Sequence, residues 1–287
     1  MILDILLIII TLITLVIASI TDIKTREIPD FLNYSLLITV FFLKLLESIA
    51  IKSFTPFLYA VLGFIMYFVI ALFMYYTKQW GGGDSKLLMS LGIVFSQYPS
   101  FFLSYFNPSM DLPLLLSMFL NILIFGSLYG MLFSAYTAIK NKDKFLAELK
   151  KAKLKKIRYY LILSLAIVVS SLFTHIMILK FFIISISLLI TLIPYLLIFI
   201  KTIEKSCMIK NIPINNLTEG DWIVNDIYSK NKIVYSKKSL GVTLDQISII
   251  KKLKIKTITI KEGIPFTPAF LIAFIITLIY GNILFFI

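Results

Sequence analysis

The sequence predicts an all-α polytopic membrane protein with about eight transmembrane helices and a small cytoplasmic α+β module. Hydrophobic residues make up 59% of the 287 residues and charged residues only 15%, against about 45–50% and about 25% in soluble chains. The mean hydropathy is +0.95. The apolar residues form long runs, and most charged residues lie between those runs. A soluble protein of this size could not hide so many apolar side chains, so most of them must face lipid.

The same composition excludes several other classes of protein. The apolar content is far too high for a disordered chain or a coiled coil. Cys207 is the one cysteine and His175 the one histidine, so the chain cannot be a secreted disulfide scaffold or build a zinc finger or another His/Cys metal cluster. We therefore expect no metal and no cofactor.

Runs of about 20 apolar residues are long enough to cross a bilayer as helices. The first run lacks the basic start and the small-residue cleavage site of a signal peptide, so we expect a retained helix. The run at 159–200 is too long for one helix and is divided into two. The predicted spans are 2–20, 31–49, 55–77, 86–106, 113–138, 159–178, 181–200 and 266–287.

The positive charges predict which side of the membrane each loop occupies. With the amino terminus outside, the cytoplasmic segments are 21–30, 78–86, 139–158 and 201–265, and they carry 25 of the 28 lysines and arginines. Such an imbalance is typical of cytoplasmic loops. We therefore expect a multi-pass protein of the cell membrane with both termini outside. The net charge of +13 then reports topology, and we expect no nucleic acid partner.

The polar regions divide the chain into three parts. We predict a transmembrane domain over 1–200, a small cytoplasmic α+β domain over 201–265 and a C-terminal transmembrane helix over 266–287. Within the first part, 139–158 reads as a basic helical loop that lies against anionic lipid headgroups.

Local patterns predict the elements of the cytoplasmic domain. Alternation over 221–228 and 232–236 indicates a hairpin that turns at Ser229-Lys230-Asn231. The segment Thr243-Leu244-Asp245-Gln246 is a capping box and predicts a short helix to about Leu253. Residues 255–260 alternate again as a strand.

Two aspartates stand out among the fifteen acidic residues. Asp22 ends the first predicted span, and Asp84 follows Trp80-Gly81-Gly82-Gly83 directly before the fourth. In the predicted topology both lie at the cytoplasmic membrane face, where packing could bring them together. Consecutive glycines mark backbone that adopts unusual angles or is approached closely. Two carboxyl groups in one cavity share a proton, which suits acid–base hydrolysis of an amide without a metal.

Each of these residues also has a simpler interpretation. Asp84 could be the N-cap of the fourth helix, and Asp22 could be a solvated residue at a helix end. Asp30, which follows Pro29, reads as the N-cap of the second helix. The glycines before Ser85-Lys86 lack the spacing of a phosphate-binding loop.

The motifs resemble those of a known family. Gly81-Gly82-Gly83-Asp84 is the GxGD motif of intramembrane aspartyl proteases, and Asp22 followed by Ile28-Pro29-Asp30 is similar to the first aspartate region of prepilin peptidases. The resemblance is strongest to the archaeal preflagellin and prepilin peptidase branch. It covers the membrane portion to about residue 140, and more loosely the remainder.

This resemblance implies an aspartic endopeptidase with Asp22 and Asp84 as its catalytic pair and Gly81, Gly82 and Gly83 as the active-site loop. The implied substrates are membrane-inserted precursors of pilin-like proteins or archaellins, whose short basic leader is removed at the cytoplasmic face. Bacterial relatives often carry paired CxxC zinc motifs and methylate the new amino terminus. This chain has no such motifs, and we expect neither zinc nor methylation.

One further stretch is notable, and two other functions stay open. The prolines in Glu262–Phe270 could simply start the last helix, or their extended backbone could border the active site. Trp80 reads as an interfacial aromatic residue. Glu27, Asp30, Glu219 or Asp221 could receive a basic leader. The rival functions are a small transporter or channel with proton-relaying carboxylates, or a catalytically inert assembly subunit.

Overall fold

The computed structural model describes residues 1–151, 157–229, 232–253 and 255–285. The chain is mainly helical, with a small group of strands between the last two membrane-embedded helices. The helices are α1 (Ile2–Thr25), α2 (Asp30–Ala50), α3 (Thr55–Tyr76), α4 (Gly82–Val94), α5 (Leu114–Lys140), α6 (Lys142–Lys150), α7 (Ile157–Ser171), α8 (Met177–Ile203), α9 (Leu244–Lys252) and α10 (Thr267–Tyr280). The strands are β1 (Ile209–Pro213), β2 (Trp222–Ile223), β3 (Ile227–Ser229), β4 (Lys232–Tyr235) and β5 (Thr257–Lys261).

The long apolar helices make this a multi-pass membrane protein. Within the described residues, α1, α2, α3, α5 and the helical segment Met177–Met208 are long and apolar enough to cross a bilayer. The helices α7 and α10 are apolar but shorter, and α4 has only 13 residues. The predicted fold class is confirmed, and every predicted span contains a helix.

The fourth predicted span, 86–106, is wrong in its bounds. The helix α4 begins earlier, at Gly82, and ends at Val94, and a separate 3-10 helix follows at Ser100–Ser104. Pro99 explains the break, because it has no N–H to donate and it disfavours helical backbone in the residue before it.

The last predicted span, 266–287, is also too long. The helix α10 ends at Tyr280, and Gly281 follows with a φ of 72°, a left-handed conformation that glycine adopts readily at a helix C-terminus. Gly281 then pairs with Ser109 in an isolated bridge between chain segments. The helix α7 likewise stops at Ser171, short of the predicted 178.

The helices α3 and α4 pack at very short range. A β-carbon added to Gly63 on α3 would collide with the carbonyl oxygen of Gly92 on α4, and one added to Gly92 would collide with that of Gly63. Small residues allow such close approach between helices in a membrane. The surrounding core takes side chains from α1 to α5 and from α10, so α10 returns to the bundle after the strands.

The strands and α9 enclose a second hydrophobic core of their own. Strand β5 lies between β1 and β2 in an antiparallel sheet, and β3 pairs with β4. The predicted hairpin is confirmed by the pairing of β3 with β4. Its turn residues 230 and 231 lie outside the described residues. The predicted strand 221–228 is wrong, because it divides into β2 and β3, which belong to different sheets.

The capping box and the helix that it begins are confirmed. Thr243 is the N-cap of α9, its Oγ1 accepts the N–H of Gln246 at 3.4 Å, and the Gln246 side chain accepts the N–H of Thr243 at 3.0 Å. The predicted strand over 255–260 is present as β5.

The basic loop predicted over 139–158 is helical where it is described. Lys142–Lys150 form α6, and the ring of Phe145 lies 5.8 Å from that of Phe199 on α8. Residues 152–156 of this loop lie outside the described residues. Its contact with lipid headgroups stays a prediction.

The strands and α9, which we call the module, pack onto one end of the helix bundle. Lys78, in the turn between α3 and α4, donates from Nζ to the carbonyl oxygens of Lys238 (2.6 Å) and Ser239 (2.9 Å). Lys261 of β5 pairs with Glu204 at the end of α8 at 2.9 Å. The module is therefore fastened to the end at which Asp22 and Asp84 lie.

Substitution Gly92→Ala should destabilise the bundle, because the added methyl group would collide with the backbone of Gly63 and with Tyr67. We expect a loss of about 1–3 kcal/mol, typical of overpacking, measured by thermal unfolding in detergent. Gly130→Ala is the matched control: Gly130 lies in α5 with no described atom within 4 Å of the added carbon, and it should leave stability unchanged or raise it slightly. Equal stability of the two variants would contradict this packing.

Candidate active site

Thr267, the first residue of α10, lies between Asp22 and Asp84. Its N–H donates to Oδ2 of Asp22 at 2.9 Å, and its Oγ1 donates to Oδ1 of Asp84 at 3.4 Å. Asp22 is only 7% exposed, and Asp84 is partly buried. The structure thus brings both predicted aspartates within hydrogen-bond distance of one residue.

The glycine loop determines where the Asp84 carboxyl lies. Gly81 is the N-cap of α4, with extended backbone, and its N–H donates to Oδ2 of Asp84 at 3.3 Å. Asp84 is therefore the third residue of the helix and not its N-cap, the alternative left open by the sequence. A carboxylate here is also favoured by the positive end of the helix dipole.

The third glycine is needed for close packing. A β-carbon on Gly83 would lie 3.0 Å from that of Ile28, in the connection between α1 and α2, whereas one on Gly82 would meet only the ring of Tyr75 at 3.8 Å. Asn33 on α2 donates from Nδ2 to the carbonyl oxygen of Gly83 at 3.4 Å. The loop is therefore held against the segment that follows Asp22.

The prediction that Asp30 is the N-cap of the second helix is wrong. Pro29 occupies the N-cap position, and Asp30 is the first residue of α2. Its carboxylate instead accepts a hydrogen bond from Nζ of Lys86 on α4 at 2.6 Å. Lys86 also lies 5.2 Å from the ring centre of Tyr34, so these contacts tie α2 to the beginning of α4.

The prediction that Trp80 is an interfacial residue is also wrong. It is only 6% exposed, and its ring centre lies 5.5 Å from that of Phe266 and 5.3 Å from that of Phe270. These phenylalanines flank Thr267. Trp80 thus packs the glycine loop against the beginning of α10, and aromatic contacts of this kind stabilise a core.

Ion pairs join the end of α1 and strand β1 to the chain that leads into α10. Arg26, which follows α1 in a left-handed conformation, approaches Glu262 at 3.8 Å and the ring centre of Phe133 at 5.1 Å. Glu262 also pairs with Lys210 at 2.6 Å. The chain from β5 to Thr267 is therefore anchored to the residues that follow Asp22.

Two of the four acidic residues considered for a basic ligand lie near one another. Burial raises the pKa of Asp221 above its ordinary value, and the negative charges of Glu27 and Glu262 raise it further, against the hydrogen bonds from Thr218. Glu27, Asp221 and Glu262 therefore form a group of acidic residues, and Glu262 of this group approaches Arg26. Asp30 is engaged by Lys86, and Glu219 is exposed on the module.

The arrangement suits acid–base chemistry between two carboxyl groups. Among the described residues, no group of three or more histidine, cysteine, aspartate or glutamate side chains is arranged to hold a metal ion. The sequence singled out Glu262–Phe270 but gave no reason to choose Thr267 within it. The one available signal was its position, directly before a proline at the start of an apolar run.

The fold and the site define a class of protein: multi-pass membrane proteins that gather two aspartates at one end of a helix bundle. Residues 9–135 match the model of the type IV leader peptidase family. These residues include the aspartate pair and the glycine loop, and through this segment the chain is similar to that family.

Individual relatives are similar over a shorter part of the chain than the family model matches. A preflagellin peptidase of Methanococcus voltae is 34% identical over 87 residues, which are 30% of this chain and 37% of the relative. One of Methanocaldococcus jannaschii is 36% identical over 84 residues, 29% of this chain and 36% of the relative. The aligned part of the chain thus spans little more than a third of these curated relatives. No solved structure matches the chain.

Asp221→Asn should change how stability depends on pH. The folded protein holds the Asp221 proton more tightly than the unfolded chain does, so the free energy of unfolding falls as pH rises from the unfolded pKa through the folded pKa. Asparagine removes this titration, and its Oδ1 can still accept the Thr218 N–H, which Asp221 accepts at 2.8 Å. Thermal unfolding between about pH 4 and pH 7 should therefore show a smaller decline for the variant. An unchanged slope would contradict the account.

Proposed function

We propose that this protein is an aspartic endopeptidase that removes the short basic leader from type IV pilin-like or archaellin precursors. The observation that carries the proposal is the contact of both Asp22 and Asp84 with Thr267, inside a bundle whose first part matches the type IV leader peptidase family. The similar relatives are preflagellin peptidases, which supports the same class of substrate.

The reaction follows from two neighbouring carboxyl groups. Like charges at short range disfavour double ionisation, so one carboxyl keeps its proton while the other is ionised. The ionised carboxylate takes a proton from a water molecule, whose oxygen attacks the carbonyl carbon of the scissile amide. The protonated carboxyl then supplies a proton to the leaving nitrogen as the C–N bond breaks. No metal takes part in this scheme.

We place the active site at the cytoplasmic face, with both termini outside. The carboxyl end of α1, the amino ends of α2, α4 and α10, and the module share one end of the bundle. The predicted cytoplasmic segments with most of the positive charge lie at that end. In this proposal 1–200 and 266–287 form the membrane part and 201–265 the cytoplasmic domain. A site at this face can reach a scissile bond that lies just before the apolar helix of the precursor, and that bond does not have to enter the lipid.

A basic leader meets a protein of net charge +13, so its binding requires local negative charge near the site. We assign the local negative charge that receives the leader to Glu27 and Asp221, which lie near each other and near Glu262. Anionic headgroups around the basic loop would offset part of the remaining positive charge.

Asp22→Asn and Asp84→Asn should each lower the rate of leader release by at least about 100-fold, because each removes a group that transfers a proton. The measurement is cleavage of a pilin-like or archaellin precursor in proteoliposomes, with the new amino terminus identified by mass spectrometry. Asp4→Asn is the matched control: Asp4 is a buried carboxylate on the same helix, with Oδ2 bound by Ser100 Oγ and the Phe101 N–H, both at 3.1 Å.

Wild-type rates in either Asp22→Asn or Asp84→Asn would overturn the catalytic pair. Loss of activity in Asp4→Asn as well would show that substituting a buried carboxylate is harmful by itself. A wild-type protein that transports ions in liposomes and releases no leader would favour the transporter, and one that does neither would favour the inert subunit.

Gly83→Ala should lower the cleavage rate more than Gly82→Ala does. The methyl group at 83 would push against Ile28 at 3.0 Å, whereas that at 82 has an ordinary 3.8 Å contact. Displacement of Asp84 by this crowding should cost about 10- to 100-fold in kcat, measured in the same proteoliposomes. Equal rates in the two variants would show that the Ile28 contact does not determine where Asp84 lies.

A further inference from the structure

Thr267 contributes two different donors to the aspartate pair. Its main-chain N–H contacts Asp22 at 2.9 Å, and its hydroxyl contacts Asp84 at 3.4 Å. The residue is completely buried. It lies 245 residues from Asp22 and 183 from Asp84 along the chain, so neither contact is a local one.

The start of α10 explains why the main-chain donor is free. The first N–H groups of a helix have no partner within it, and Thr267 is the first residue of α10. Pro268 follows and has no N–H of its own, so Thr267 is the last residue before it whose N–H can reach Asp22. The positive end of the helix dipole adds to the attraction for a carboxylate.

Packing on both sides keeps Thr267 in place. Phe266 and Phe270 lie against Trp80, and Gly126 on α5 leaves the space that the ring of Phe266 occupies. On the other side, Glu262 is fixed to Arg26 and Lys210. Thr267 is thus held by contacts with both segments that carry the aspartates.

We propose that Thr267 is a positioning residue that sets the two carboxyl groups at their working separation and orientation. This inference rests on the proposed function, because the separation matters only if the two carboxyls act on one water and one amide. The N–H restrains Asp22 and the hydroxyl contacts Asp84, and both donors belong to the same residue at the start of α10. A small displacement of either carboxyl would then lower kcat and leave KM nearly unchanged.

The alternative role of a buried threonine at a helix start is simply to fill space in the core. The two roles differ in what the hydroxyl contributes. Valine has the same shape as threonine and keeps the main-chain N–H but lacks the hydroxyl, whereas serine keeps both donors and loses only a methyl group. A space-filling role predicts that valine is tolerated and serine is not; a positioning role predicts the reverse.

The experiment compares Thr267→Val and Thr267→Ser with the wild-type protein in proteoliposomes that contain a precursor with a basic leader. We expect Thr267→Val to lower kcat by about 10- to 100-fold with KM within about threefold. Thr267→Ser should stay within about threefold of the wild-type kcat. The control is Thr11→Val, which removes a fully buried hydroxyl whose bond goes to its own helix, at the Leu7 carbonyl (2.7 Å), and it should keep the wild-type rate.

Wild-type kcat in Thr267→Val, or equal impairment in Thr267→Val and Thr267→Ser, would overturn the positioning role. Infrared spectroscopy of the protonated carboxyl band supplies a readout that needs no turnover. Loss of the hydroxyl donor should shift this band in Thr267→Val but not in Thr267→Ser or Thr11→Val, with the Asp84→Asn variant used for assignment. If the wild-type protein releases no leader, the proposed function fails, while an unshifted band in Thr267→Val refutes the contact itself.

Discussion

The structure depends on one constraint: two carboxyl groups, one buried and one partly buried, must be supplied with hydrogen-bond donors inside a helix bundle. Asp22 and Asp84 arrive at the same point from α1 and α4, and the beginning of α10 provides a donor to each. Several neighbouring elements hold the two carboxyl groups at this point. The glycine loop allows Asp84 to approach, Trp80 packs that loop against Phe266 and Phe270, and the module anchors the chain just before Thr267.

The site therefore draws on parts of the chain that the family match does not reach. That match ends at residue 135, whereas Thr267 and the strands that lead to it lie beyond. The aspartates and the glycine loop belong to the matched segment, and their donors come partly from outside it. Lys78 contacts the module, and Arg26 contacts Glu262, which follows β5 directly, so a shift of the module would also move chain segments next to the aspartate pair.

Local sequence was sufficient for the helices, the capping box of α9 and the expectation that Asp22 and Asp84 lie close together, because each has a short-range signature: apolar length, a cap, or an aspartate beside glycines. Local sequence was not sufficient where contacts between residues far apart in the chain determine the position of a side chain. Asp30 has an N-cap pattern, but Pro29 takes that position and Lys86, 56 residues later, takes the carboxylate. Trp80 resembles an interfacial residue until Phe266 and Phe270 cover it. Thr267 acquires its role only through contacts that span most of the chain.

Cysteine cross-linking tests the central claim, the contact of Asp22 with the start of α10, most directly. In a Cys207→Ser background, which removes the one native thiol, Asp22→Cys and Thr267→Cys are introduced together and treated with a short thiol cross-linker in membranes. We expect rapid cross-linking, detected by mass spectrometry after proteolysis, and far slower reaction of a matched Asp4→Cys and Thr267→Cys pair. Equal reactivity of the two pairs would contradict this claim.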